Sequence, residues 1–286
     1  MAIKLLLTDP SSPLGVAIAQ ALEIYPYRIV TPEPGEIDWC SAEAVAEYLQ
    51  VKPPKLLVNT LGWSSAPDLA QQQLLVSAAQ NLASACSVHD IVPIHLSSFQ
   101  VFGGDYKTAY EERDLPLPVT DAGRAFLAAE RSFETLKRHI NLRLSWVLSD
   151  VEGELISRCV RNMCEHKPVV AASRYRGSPT HIGDVARVVT AMIPQILYGA
   201  ENWGTFHYAS SDPVFELELV EEVATVLKAR QLLPADWQPM AVGGDEELRS
   251  ASLAVRRCID NFGIQVRGWR PGLKILNERM LDGPRA

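Results

Sequence analysis

A turn near the amino end, Thr8-Asp9-Pro10-Ser11-Ser12-Pro13-Leu14-Gly15, joins a short apolar run to a helical pattern and carries several groups able to meet a ligand. The hydroxyls of Ser11 and Ser12 can donate hydrogen bonds. A helix opening at Ser12-Pro13 also turns its positive end toward the turn, so the chemistry on offer is anion binding. Ser12 before Pro13 reads equally as a plain N-cap with proline at the first helical position. Asp9 opposes an anion, because two like charges about 4 Å apart repel by roughly 4 kcal/mol at an effective dielectric near 20. Further on, Ser97 and Ser98 end an apolar run, and Tyr106 and Tyr110 follow as phenols that either donate protons or pack as loop aromatics on the surface. Arg174, Arg176, Ser178, Thr180 and His181 form a cluster suited either to phosphate or to a solvated charged face. His89, His95, His139, His166, His181 and His207 show no HxH, HxxxH or HExxH spacing, so no metal is expected. Neither a GxSxG elbow nor a P-loop is present.

The elements that must position these residues follow from hydrophobic period. Apolar runs at Ile3 to Thr8, Tyr27 to Thr31, Lys55 to Asn59, Ile91 to Ser97 and Asn141 to Leu148 read as strands. Helical patterns lie between them, from Ser12 to Tyr25, Ser41 to Leu49, Leu69 to Val88 and Ala122 to Arg138. Alternation of this kind implies right-handed crossovers and an α/β fold, a doubly wound parallel sheet with ligands at the carboxyl ends of its strands. After about Leu148 the rhythm loosens into helices at Leu155 to His166, His181 to Leu197 and Leu217 to Arg230, with strands at Val169 to Ala172 and Thr205 to Ala209. No internal repeat is visible.

Composition bounds the partners. The 286 residues are 47% hydrophobic and 21% charged, an ordinary globular balance with ample material for a core. A net charge of −7 argues against nucleic acid or an anionic membrane as partner. Cys40, Cys86, Cys159, Cys164 and Cys258 contain no CxxC pair and are odd in number, as expected of free thiols in a reducing cytoplasm. The start MAIKLLLTDP has too short an apolar run for a signal peptide, and no stretch reaches the length of a membrane span.

VNTLGW at 58 to 63, HLSSFQVFGG at 95 to 104, AGRAFLAAE at 122 to 130, LRLSWVL at 142 to 148 and RGSPTHIGDVA at 176 to 186, taken in order with the strand-turn-helix start, resemble the dTDP-4-dehydrorhamnose reductase branch of the extended short-chain dehydrogenase/reductase superfamily. The match runs over nearly the whole chain, and GSPT followed by Asp184 is its most specific segment. The resemblance implies a Rossmann-like NAD(P)-binding-type domain over residues 1–150, rejoined by a helix at about 181–200. It also implies a smaller carboxyl-terminal α/β lobe of substrate-binding type, over residues 151–180 and 201–286, closing on a nucleotide sugar.

Carried over residue by residue, the resemblance also implies a loss of chemistry. The family's proton-donating tyrosine falls on Ala122, the lysine four residues on falls on Phe126, and an asparagine of the preceding helix falls on Leu75. Ser98 keeps the position that hydrogen-bonds the substrate carbonyl. Losing the general acid alone costs about 10²- to 10⁴-fold in rate. The family's GxxGxxG glycines fall on Asp9, Ser12 and Gly15, leaving Ser11, Ser12, Gly15 and Asp38 as the residues toward an NADP or NAD cofactor. Arg176, Ser178 and Thr180 are the residues toward a nucleotide-sugar ligand. The expectation is a non-catalytic, reductase-like pseudoenzyme serving as a binding or regulatory subunit, with a protein partner or as a homo-oligomer. The alternatives are an NAD(P)-dependent reductase of a nucleotide-linked 4-keto sugar using unconventional residues, and an interaction protein with no nucleotide ligand.

Overall fold

The computed structural model describes residues 2–51, 53–105, 107–151, 154–243 and 249–282. Its frame is a six-stranded sheet made of β1 (Lys4–Leu7), β2 (Arg28–Val30), β3 (Leu56–Asn59), β4 (Val92–Ser98), β5 (Ile140–Leu144) and β10 (Gly204–Tyr208), in the order β10-β5-β4-β3-β1-β2. Every pairing in it is parallel. β3, β4 and β5 are buried at every position, which is why they read as unbroken apolar runs instead of alternating ones. Flanking helices cover the sheet, giving the doubly wound α/β fold that the alternating pattern predicts.

Local chemistry starts each helix. α1 (Pro13–Leu22) is capped by Ser12, whose hydroxyl accepts from the Gly15 amide, with proline at the first position. α2 (Ala42–Val51) follows Ser41, whose hydroxyl accepts from the Ala44 amide. α3 (Leu69–His89) opens with a reciprocal capping box between Asp68 and Gln71 and ends at Asp90 in the left-handed conformation, φ 54°. Thr120 caps α4 (Asp121–Glu134). The main core joins Leu5, Ile18, Leu57, Ile94, Phe126, Phe133 and Leu142. No helix among the described residues is long and apolar enough to cross a membrane.

Beyond β5 the chain turns at Ser145, whose hydroxyl donates to the Ala251 carbonyl and accepts from the Ser178 amide, and this divides the expected strand to Leu148 into β5 and β6 (Val147–Leu148). α5 (Leu155–Cys164), β7 (Val170–Ala172), β8 (Tyr175–Gly177) and β9 (Thr180–His181) follow, then α6 (Ile182–Leu197), which packs on α1. After β10 come β11 (Val214–Phe215), α7 (Glu216–Ala229), β12 (Met240–Val242), β13 (Arg249–Ser250), α8 (Arg256–Phe262) and α9 (Arg270–Asp282). β8 pairs with β11 and β13, β7 with β12, and β6 with β9, over a second core that includes Met163, Leu219, Val223, Leu227 and Trp269. One expectation is corrected: β10, within the 201–286 stretch assigned to the smaller lobe, lies instead in the large sheet beside β5. α6 delivers it there, and Phe206 of β10 is fully buried in the main core.

Candidate ligand cleft

Because β1, β3 and β4 run parallel, the turns after them meet at one rim, where open α/β sheets receive ligands. A cavity of about 620 Å³ lies there, within the size range of small-molecule sites. Asp9, Ser11 and Ser12 form one wall, Trp63 and Ser64 after β3 a second, and Ser98 and Phe99 at the end of β4 a third. The second half of the chain closes it with Trp146, Tyr175, Glu216 and the start of α5, where Glu154 and Arg158 stand.

The turn between β1 and α1 is folded around its own carboxylate. Asp9 Oδ1 accepts from the Ser11 hydroxyl at 2.7 Å, the Ser12 amide at 3.1 Å and the Ser11 amide at 3.3 Å. Ser12 donates its hydroxyl proton to the Asp9 carbonyl at 2.9 Å while capping α1. Gly15 is required by close approach, since a Cβ there would stand 1.8 Å from the Asp9 carbonyl oxygen. Asp38 is exposed and away from the cavity; its carboxylate accepts from the Cys40 amide at 3.0 Å in the turn that leads into α2.

Ser98 is buried at the cavity wall and accepts from the Gln100 amide at 3.3 Å. Ala122 is half-buried in the first turn of α4 and Phe126 is fully buried one turn on; neither forms a wall of the cavity. Leu75 is likewise fully buried and packs under Gly62, where an added Cβ would approach its own to 3.0 Å. Tyr110 is buried, not a surface aromatic: it stacks on Phe102 with ring centroids 4.2 Å apart and donates its hydroxyl to the Asp105 carbonyl. Tyr106 lies outside the described residues.

The RGSPT segment builds structure around the cleft. Ser178 and Thr180 are both buried; the Thr180 amide donates to the Trp146 carbonyl, and its hydroxyl donates to Ser178 and accepts from Ser210. Arg176 sits in β8 between β11 and β13, and strand alternation gives the cavity its neighbour Tyr175 instead. His181 caps α6, accepting from the Gly183 amide. Of the positions expected to hold ligand, Ser11, Ser12 and Ser98 therefore share the cavity, while Gly15, Asp38, Arg176, Ser178 and Thr180 lie outside its walls.

Sequence reasoning overlooked Trp63, Trp146, Arg158, Tyr175 and Glu216, which reach the cavity from five separate segments. Burial holds the Tyr175 phenol up at about 12, so it stays protonated at neutral pH. It also overlooked a buried ion pair behind the cleft. Arg143 grips Glu130 with two hydrogen bonds of 2.8 and 2.6 Å, and Ser97 donates to the same carboxylate at 2.5 Å. Arg143 also reaches His207 Nε2, whose Nδ1 meets the Tyr110 carbonyl. Burial first, and Arg143 second, hold this imidazole down at about 3. A lone acid on the apolar stripe Phe126-Glu130-Phe133 and a lone base inside INLRL were the available signal.

Such a sheet and rim cleft, closed over by a carboxyl-terminal α/β lobe, fit the extended short-chain dehydrogenase/reductase class. Within it, the family model described as RmlD substrate binding domain matches residues 3–281, and the chain belongs to that family. A dTDP-4-dehydrorhamnose reductase of Aggregatibacter actinomycetemcomitans is 25% identical, with 95% of this chain and 97% of that protein aligned. Among solved structures, a dTDP-4-dehydrorhamnose reductase ortholog from Clostridium acetobutylicum superposes with a TM-score of 0.85 at 20% identity, covering 98% of this chain and 100% of that one. The Bacillus anthracis reductase, solved in complex with NADP, gives 0.82 at 18% identity over 96% and 98% of the two chains. Among the described residues no group of three or more His, Cys, Asp or Glu side chains is arranged to hold a metal.

Proposed function

We propose that the cleft binds a nucleotide-linked sugar without reducing it, and that the chain acts as a binding or regulatory subunit. One observation carries this reading. The two α4 positions onto which the resemblance carries the family's tyrosine and lysine hold Ala122 and Phe126, and Phe126 is sealed in the core. A methyl group and a phenyl ring neither donate a proton to a forming alkoxide nor hold a ribose. The cavity still supports ligand binding, with hydroxyls from Ser64 and Ser98 and the rings of Trp63 and Trp146 on its walls.

A second reading is reduction of a nucleotide-linked 4-keto sugar with NAD(P)H, and the names of the relatives favour it over the first. Tyr175 and Ser98 on the walls of one cavity add to its support, since a phenol and a hydroxyl are the groups that a proton donor and a carbonyl ligand require. The two readings separate when the purified protein is incubated with dTDP-4-dehydrorhamnose and NADPH, following absorbance of the reduced nicotinamide, with dTDP titrated calorimetrically in parallel. Heat from dTDP without turnover is expected. Turnover lost in Tyr175→Phe overturns the first reading in favour of the second, and absence of both signals sinks both.

A further inference from the structure

We infer that the Asp9 carboxylate is a built-in occupant of the place where a dinucleotide's diphosphate would be received, and that it closes this cleft to NAD(H) and NADP(H) while leaving the sugar-nucleotide side open. The inference deepens the proposed function and rests on its reading of the cavity as the ligand site. A diphosphate at the start of a helix is held by amide and hydroxyl protons aimed at it. Here those protons are already taken: Asp9 Oδ1 receives the Ser11 hydroxyl and both the Ser11 and Ser12 amides, the Ser12 hydroxyl donates to the Asp9 carbonyl, and the Gly15 amide donates to Ser12. An incoming phosphate has to displace a covalently tethered anion of its own sign.

Two further observations agree. Asp9 has no cationic partner among the described residues, so its charge is not neutralised locally. Neither Asp9 nor Ser12 adopts positive φ, so the turn closes without the glycines that let a diphosphate approach the backbone. Elsewhere along a bound dinucleotide, the resemblance puts the ribose-holding lysine at the buried Phe126, and Asp38 lies outside the cavity walls, in the turn where it accepts from the Cys40 amide. The residues present do not fit the cofactor.

The test is calorimetric titration of the full chain and of Asp9→Asn and Asp9→Gly with NADPH and, separately, with dTDP, with melting curves recorded on all three proteins. Asp9→Asn keeps an oxygen that can accept the turn's protons, so it preserves the fold while removing the charge; Asp9→Gly also vacates the site. The unaltered chain is expected to give no heat with NADPH up to millimolar concentration. Asp9→Asn is expected to bind NADPH at least tenfold more tightly, and Asp9→Gly more tightly still. Micromolar NADPH binding by the unaltered chain overturns the inference, as does a folded pair of variants no tighter than the parent. Heat from dTDP in all three proteins upholds the proposed function. NADPH gained by the variants with dTDP silent in all three would overturn that function and leave the role of Asp9 standing.

Discussion

At the scale of single residues, Ala122 and Phe126 are unequal in what they would tolerate. Phe126 is 0% exposed, so Phe126→Ala opens a cavity and is expected to cost about 3–5 kcal/mol in urea unfolding. Phe126→Lys would bury an ammonium there with no partner. Ala122 is half-buried at a helix start, and Ala122→Tyr is expected to leave the unfolding midpoint close to that of the parent. Glu130→Gln leaves Arg143 buried and uncompensated and is expected to cost about 3–5 kcal/mol by the same measurement. Ser12 as the cap of α1 was legible because a cap depends on neighbours in sequence, and so was the strand that ends at Ser97-Ser98. The Glu130–Arg143 pair was not, since its partners lie on a helix and on the strand after it and meet only once α4 packs on β5. Trp146, Tyr175 and Glu216 escaped for the same reason: each sits in an element whose own pattern explains it.

Among elements, close approach decides more than propensity does. β8 passes so near Trp146 that a Cβ at Gly177 would stand 2.3 Å from the indole ring. Gly177→Ala is expected to displace Trp146 toward the cavity and weaken dTDP binding in calorimetry, and a variant with unchanged dTDP affinity would show that Trp146 does not shape the site. Overpacking of this kind typically costs about 1–3 kcal/mol. The strands of the large sheet were readable because burial on both faces leaves continuous apolar runs, and helix starts because Ser12, Ser41, Asp68 and Thr120 cap them through local bonds. The division of β5 from β6 was not readable, because Ser145 makes that turn with residues 33 and 106 positions away. β10 was put in the wrong layer because a five-residue strand carries no mark of which sheet it joins.

At the scale of the molecule, two of the buried histidines, His95 and His207, are held neutral and contribute to its response to acid. His95 is held down at about 3 by burial with a smaller contribution from His139, and His207 at about 3 by burial and Arg143. An unfolded histidine titrates near 6.5. Above that pH both are neutral in either state and contribute nothing to pH dependence. Below it the unfolded chain binds protons that the folded chain refuses, so stability falls between about pH 6.5 and 3, by roughly 1.4 kcal/mol per pH unit for each histidine. The urea midpoint is expected to drop from pH 7 to pH 5, and His207→Gln to flatten that slope; an unchanged slope in the variant would show that His207 is not a source.

The position of β10 also governs how the protein comes off the ribosome. β5 is complete at Leu144, but the strand that covers its open edge ends at Tyr208, 64 residues later in synthesis. At about 5–20 residues per second that edge, with its row of unpaired amides and carbonyls, stays uncovered for roughly 3–13 s in every nascent chain. Growing chains stalled between those two points are therefore the form of this protein most exposed to pairing with a neighbour and most dependent on chaperones.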